Sequence, residues 1–142
     1  MPNFDLYPGF DRSAPALSAP IEPGILPVCD VLNSIPDTHT LWSCEGHPER
    51  PSRPYVTFIA PQKTAFKVHQ LLSPGGLNGS LEYCWWVMAS FRDDGSLQYT
   101  IEPNDYRILE RHWLPFRRWT NVSMNQELLR LARLLEHLKH LP

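Results

Sequence analysis

Six of the chain's fifteen prolines stand in its first 27 residues, at positions 2, 8, 15, 20, 23 and 27. Proline fixes φ and removes a backbone donor, so a stretch this dense in it cannot run through a helix interior or a central strand. Residues 1–26 are therefore expected as a Pro-rich extended arm, and residues 27–142 as a single domain. Phe4, Leu6, Tyr7 and Phe10 give the arm apolar anchors with which to dock on the domain surface. Proline punctuates the rest of the chain as well. Pro48, Pro51 and Pro54 exclude regular structure there, and Pro61 opens a helix.

Between these breaks the hydrophobic periodicity assigns the elements. Val28, Val31, Leu32 and Ile35 fall at helical spacing after Pro27, and His39 to Ser43 is a β-prone run. Tyr55 to Ala60 is apolar on both faces, the pattern of an interior strand. Ala65, Phe66, Val68, Leu71 and Leu72 mark a second helix, stopped by Ser73-Pro74-Gly75-Gly76. Leu81 to Phe91, the turn Asp93-Asp94-Gly95 and the alternating run Leu97 to Glu102 read as an antiparallel hairpin. Its first strand is expected to be central and its second half-exposed. Asn104 to Trp113 reads as helical up to the break at Pro115. Ser123-x-x-Gln126 has the form of a capping box and opens a helix with Leu128, Leu131, Leu135 and Leu138 along one face. The fold class is α+β: an antiparallel sheet of about four strands covered by two or three helices.

The bulk composition narrows the function classes. A chain of 142 residues, 42% hydrophobic, is a globular single domain. A formal charge of −2 gives no global field for nucleic acid, which leaves only a local Arg-rich patch for such a partner. No apolar run approaches the roughly 18 residues of a membrane span. The start, Met1-Pro2-Asn3-Phe4-Asp5, lacks the basic and apolar regions of a signal peptide, so a cytoplasmic location is expected. Cys29, Cys44 and Cys84 are odd in number and widely spaced, which reads as reduced thiols rather than a disulfide framework.

The best site candidate is the loop Ser43-Cys44-Glu45-Gly46-His47. It sets a thiol, a carboxylate and an imidazole around a glycine that permits a tight turn, just past a strand's end. Three readings compete. Cys44 and His47, the only pair with ligand-like spacing, bind a metal such as Zn²⁺ with a third ligand from His69, Cys84 or His112. Alternatively Cys44 is a nucleophile with His47 beside it, and Glu45 orients the imidazole or acts as acid or base. In the third, the Ser43 hydroxyl and the backbone N–H groups around Gly46 hold an anion or a polar cofactor edge. The structural alternative is that Cys44 is a buried strand-end residue and Gly46-His47-Pro48 only a turn.

Two further groups are ligand-binding candidates. Trp85 and Trp86 are adjacent, so a strand sends them to opposite faces, one to the core and one to a pocket wall. Arg107, Arg111, His112, Arg117, Arg118 and Trp119 mix cations with an aromatic, a pattern suited to phosphate contact and base stacking, or to a solvated face beside a docked tryptophan.

The stretch Val31-Leu32-Asn33-Ser34-Ile35-Pro36 followed by Thr40-Leu41-Trp42-Ser43-Cys44-Glu45-Gly46-His47 resembles part of the TYW3-like family of tRNA wybutosine-synthesizing methyltransferases. In that family a short helix and an Asn-containing turn lead into a strand and a Ser-Ser-Cys-Ser-Gly-Arg motif. Ser43, Cys44 and Gly46 match the motif; Trp42, Glu45 and His47 stand where it has serine, serine and arginine. The resemblance covers about 20 of 142 residues. It implies an α+β domain using S-adenosylmethionine on tRNA.

The sequence thus leads to a small-ligand-binding or catalytic domain centred on Cys44, Glu45 and His47, with an RNA-modification link through the resemblance. The alternative is a non-catalytic inhibitor or adaptor that engages a protein partner through its aromatic surface and N-terminal arm.

Overall fold

The computed structural model describes residues 20–49, 52–73, 78–109 and 119–140. The elements run in the order α1 (Leu26–Asn33), β1 (His39–Cys44), β2 (Tyr55–Ile59), α2 (Gln62–Leu72), β3 (Trp85–Phe91), β4 (Leu97–Pro103), α3 (Tyr106–Leu109) and α4 (Asn121–Leu135). The four strands form one antiparallel sheet in the order β1-β2-β4-β3. The expected α+β class and strand number are both met. Among the described residues no helix is long and apolar enough to cross a membrane. Phe4, Leu6, Tyr7, Phe10, Arg111, His112, Arg117 and Arg118 lie outside the described residues.

Strand register fixes the two faces of the sheet. Val56 pairs with Ile101, Phe58 with Tyr99 and Val87 with Ile101, so these side chains share one face. That face carries the core, where Val56, Phe58, Tyr99, Ile101 and Trp85 pack with the buried stripes of the helices. Val28, Val31 and Leu32 come from α1, Ala65, Val68 and Leu72 from α2, and Met124, Leu128, Leu131 and Leu135 from α4. Helix α4 packs on both α1 and α2, closing the helical layer. Each fully buried aliphatic or aromatic side chain contributes about 1.5–3 kcal/mol relative to exposure. The opposite face is more polar, with a 2.8 Å hydrogen bond between the Thr57 and Thr100 hydroxyls and a 2.9 Å Arg53–Glu102 ion pair.

Three local expectations are corrected. In the hairpin, β4 is the central strand and β3 lies at the edge. The apolar run of β3 is exposed from Met88 to Phe91, whereas the alternating β4 is buried through Gln98, Tyr99, Ile101 and Pro103. Proline is tolerated in β4 because Pro103 sits opposite Trp85, while the neighbouring ladder bond runs from the Asn104 N–H to the Cys84 carbonyl. Second, the capping box of α4 is Thr120 with Ser123, one turn before the expected one: the Thr120 hydroxyl accepts the Ser123 N–H, and the Ser123 hydroxyl accepts the Thr120 N–H. Third, within residues 104–109 only the short turn of α3 is helical. The turn between β3 and β4 is as expected, with Gly95 at φ 87° and its N–H donating to the Arg92 carbonyl.

Residues 20–25, on the arm side of the expected domain boundary, belong to the packed structure. Ile25 is a core residue, 1% exposed. This places Glu22 and Gly24 against the loop that follows β1.

Candidate metal centre

Strand β1 ends at Cys44, whose register partner is Tyr55; Ser43 pairs with Val56. Ser43 therefore faces the helical layer, where its hydroxyl hydrogen-bonds to the buried Cys29 thiol. Burial pushes that thiol up from its ordinary value, and the Ser43 hydrogen bond only partly offsets this. Cys44, on the opposite face, is half-buried at the mouth of the loop. The alternation of a strand thus separates Ser43 from Cys44, and Ser43 takes no part in the cluster below.

The chain turns at Gly46, whose φ of 86° lies in the left-handed region that glycine adopts without strain. A Cβ there would stand 2.8 Å from Pro54 Cδ and 2.9 Å from the Trp119 ring. The close fit explains why this position has no side chain. Beyond the turn, the His47 N–H donates to the Ser52 carbonyl at 2.8 Å, an isolated antiparallel bridge between these two residues.

This turn folds His47 back toward Cys44 and brings both to Glu22. One ligand-competent atom from each of Glu22, Cys44 and His47 lies within 4.8 Å of the other two. The His47 Nε2 is 2.9 Å from Glu22 Oε2, while its Nδ1 is 3.8 Å from Glu49 Oε1. The other Glu22 oxygen accepts the Glu45 N–H at 3.0 Å. Cys44 Sγ lies 3.3 Å from the Ser52 hydroxyl and accepts the Gly46 N–H at 3.4 Å. Burial pushes the Cys44 thiol up; the Ser52 and Gly46 hydrogen bonds pull the other way, and the Glu22 carboxylate adds to the upward push.

The third ligand-type residue is Glu22, and the sequence offered no local sign of it: an acid 22 positions before Cys44, inside a Pro-rich stretch. Of the expected third ligands, His112 lies outside the described residues and the other two lie away from this cluster. His69 is exposed on α2 beside Ser73, and Cys84 precedes β3 at the far edge of the sheet. Glu45, read from the sequence as orienting the imidazole or acting as acid or base, has its carboxylate on the Gly24 N–H, which it accepts at 2.7 Å. Glu45 and Glu22 thus clasp each other's segments through reciprocal carboxylate–amide bonds, and Glu22 holds the imidazole.

The two tryptophans do go to opposite faces, but neither walls this site. Both lie on β3, three strand spacings from β1, roughly 14 Å. Trp85 is 5% exposed and its indole N–H donates to the wholly buried Glu127 at 3.0 Å. Trp86 is exposed, its indole N–H 3.3 Å from Glu102. Of the Arg-rich group, Arg107 is described: it is forked onto Asp105 and over the Tyr83 ring, 4.8 Å from the centroid. Asp105 is held down at about 2, chiefly by that guanidinium. This arrangement commits the Arg107 charge to a folded network.

A thiolate, an imidazole and a carboxylate form a donor set suited to a borderline divalent ion. Bonds of about 2.0–2.3 Å in tetrahedral geometry would set ligand atoms roughly 3.3–3.6 Å apart, and the three candidate atoms, one pair at 2.9 Å and all within 4.8 Å of one another, bracket that spacing. The chain matches no protein-family model, no curated protein and no solved structure.

Proposed function

We propose that this domain binds a divalent transition-metal ion, zinc by the chemistry of its donors, through Glu22, Cys44 and His47. The observation that carries the reading is the convergence of these three groups from two segments 22 residues apart. With three protein ligands the ion retains a position for water or a small ligand, the arrangement that zinc sites doing chemistry share. The free-nucleophile reading of Cys44 has less support. Its thiol is pushed up rather than down, and the nearest charged group to the imidazole is Glu22. A nucleophilic cysteine needs its thiolate favoured.

The test is elemental analysis of purified protein together with Co²⁺ titration, which reports thiolate ligation by a charge-transfer band. Wild type is expected to carry one equivalent of zinc and to show the band. Cys44→Ser loses the band, and Glu22→Gln and His47→Ala lower the metal content while keeping the fold. A protein that binds neither zinc nor cobalt at neutral pH overturns the proposal. The residues that resemble the TYW3-like motif lie on this same loop, so S-adenosylmethionine is the organic ligand to titrate beside the metal. Binding of S-adenosylmethionine without any metal would move the site's assignment to that ligand.

A further inference from the structure

The two edges of the sheet are finished differently. On β1 the register shifts between Thr40 and Trp42, a bulge that bends the strand away from further pairing. The edge is also capped: the Asn33 side chain accepts the Thr40 N–H and donates to the Thr40 hydroxyl, both at 2.9 Å. Strand β3 has no such device among the described residues. Its pairing with β4 runs without a bulge from Trp85 to Phe91. Those seven residues, Trp-Trp-Val-Met-Ala-Ser-Phe, hold no charge and no proline.

The hydrogen bonds at either end of β3 show which of its backbone groups face outward. The Cys84 carbonyl and the Arg92 N–H both bond toward β4, accepting from Asn104 and donating to Ser96. In an antiparallel ladder the bonded residues alternate, so Trp86, Met88 and Ser90 spend their backbone groups on β4. Trp85, Val87 and Ala89 then direct theirs to the open side. Met88 and Ala89 are both exposed although they point to opposite faces, so among the described residues neither layer covers these two positions.

We propose that the β3 edge is a self-association surface, where two copies of this chain pair β3 with β3 antiparallel about a two-fold axis and join their sheets. With the axis at Val87, Trp85 of one copy faces Ala89 of the other, and the outward groups of all three residues find partners. The occupant is argued from charge: an uncharged strand meets its own copy with no like-charge contact, whereas a charged peptide would gain no ionic contact from it. Trp86 and Met88, 39% and 42% exposed, come together across the junction on one face. A single shared edge is smaller than a standard interface of about 1,600 Å², so the dimer dissociates on dilution. This surface is independent of the metal site, which lies at the other edge of the sheet.

Sedimentation velocity on the full chain, across about a hundredfold range of concentration, tests this. Wild type is expected to shift from monomer to dimer. Ala89→Pro removes an N–H that the monomer does not use, and Ala89→Lys sets a charge beside the junction. Each is expected to weaken association at least about tenfold with the circular dichroism unchanged. If one variant fails to fold, the other decides. Wild type that stays monomeric throughout overturns the proposal, as does a dimer that a folded Ala89 variant leaves intact.

Discussion

The Nε2 of His47 lies 2.9 Å from Oε2 of Glu22, which ties the loop after β1 to the segment that leads into α1. Three residues later in that segment Ile25 enters the core at 1% exposure. The contact therefore links a candidate ligand set to core packing, and an ion bound there also fastens residues 20–25. A ligand that binds only the folded chain stabilises it by mass action. Zinc is expected to raise the melting temperature of wild type and to leave that of Glu22→Gln nearly unchanged, as read by thermal melts with and without metal.

Metal affinity is expected to rise with pH. The Cys44 thiol must lose its proton to ligate, and burial holds that proton above the ordinary thiol range. Binding then releases a proton, and affinity keeps rising through neutral pH. Competition titrations against a chelator at several pH values read the slope. Cys44→Ser should flatten it, because a hydroxyl does not ionise in this range.

Helix α4 carries a second point that a stability measurement will find. Glu127 is fully buried, accepts the backbone N–H groups of Glu82 and Tyr83 and the Trp85 indole N–H, and pairs with Arg130 at 3.1 Å. Glu127→Ala leaves those donors unpaired and is expected to cost about 3–5 kcal/mol in urea unfolding. Glu127→Gln keeps one acceptor and should cost about half as much.

What was legible in the sequence was local. The periodicity of Val28, Val31 and Leu32 and the alternation of Leu97, Tyr99 and Ile101 each found their element, and Gly46 marked a real turn. What was hidden depends on pairings between distant segments. Nothing near Glu22 says that its carboxylate meets His47. Nothing in Trp85–Phe91 says that β2 pairs with β4 and leaves this apolar run at the edge. Glu127 was nearer to legible: it lies three residues after Met124 and four before Leu131, inside the apolar stripe, where a carboxylate must find donors.

Asp105 sets the acid sensitivity of the hairpin's far end. It is 5% exposed, accepts the Cys84 N–H and the Arg107 fork, and its carboxyl is held at about 2. A carboxyl held below its unfolded value adds stability above that value and gives it up as the pH falls toward the folded one. The window is therefore about pH 4 down to about pH 2, and the loss about 2 kcal/mol. Denaturant midpoints for wild type should fall across that window. Asp105→Asn should start lower at pH 6 and change less below pH 4.

Gly46 and Gly95 share a left-handed backbone, with φ 86° and 87°, but differ in their surroundings. A Cβ at Gly95 meets nothing within 4 Å, so Gly95→Ala pays only the conformational cost, about 1 kcal/mol. At Gly46 the added methyl runs into the Pro54 ring and the Trp119 ring, both under 3 Å. Relief requires the turn at Gly46 to shift, and that turn carries Cys44 and His47. Gly46→Ala is expected to cost about 2–3 kcal/mol in stability and to weaken zinc binding as well. Gly95→Ala should leave zinc binding unchanged. If both variants lose the same stability and bind zinc equally well, the close packing around Gly46 does not govern the site.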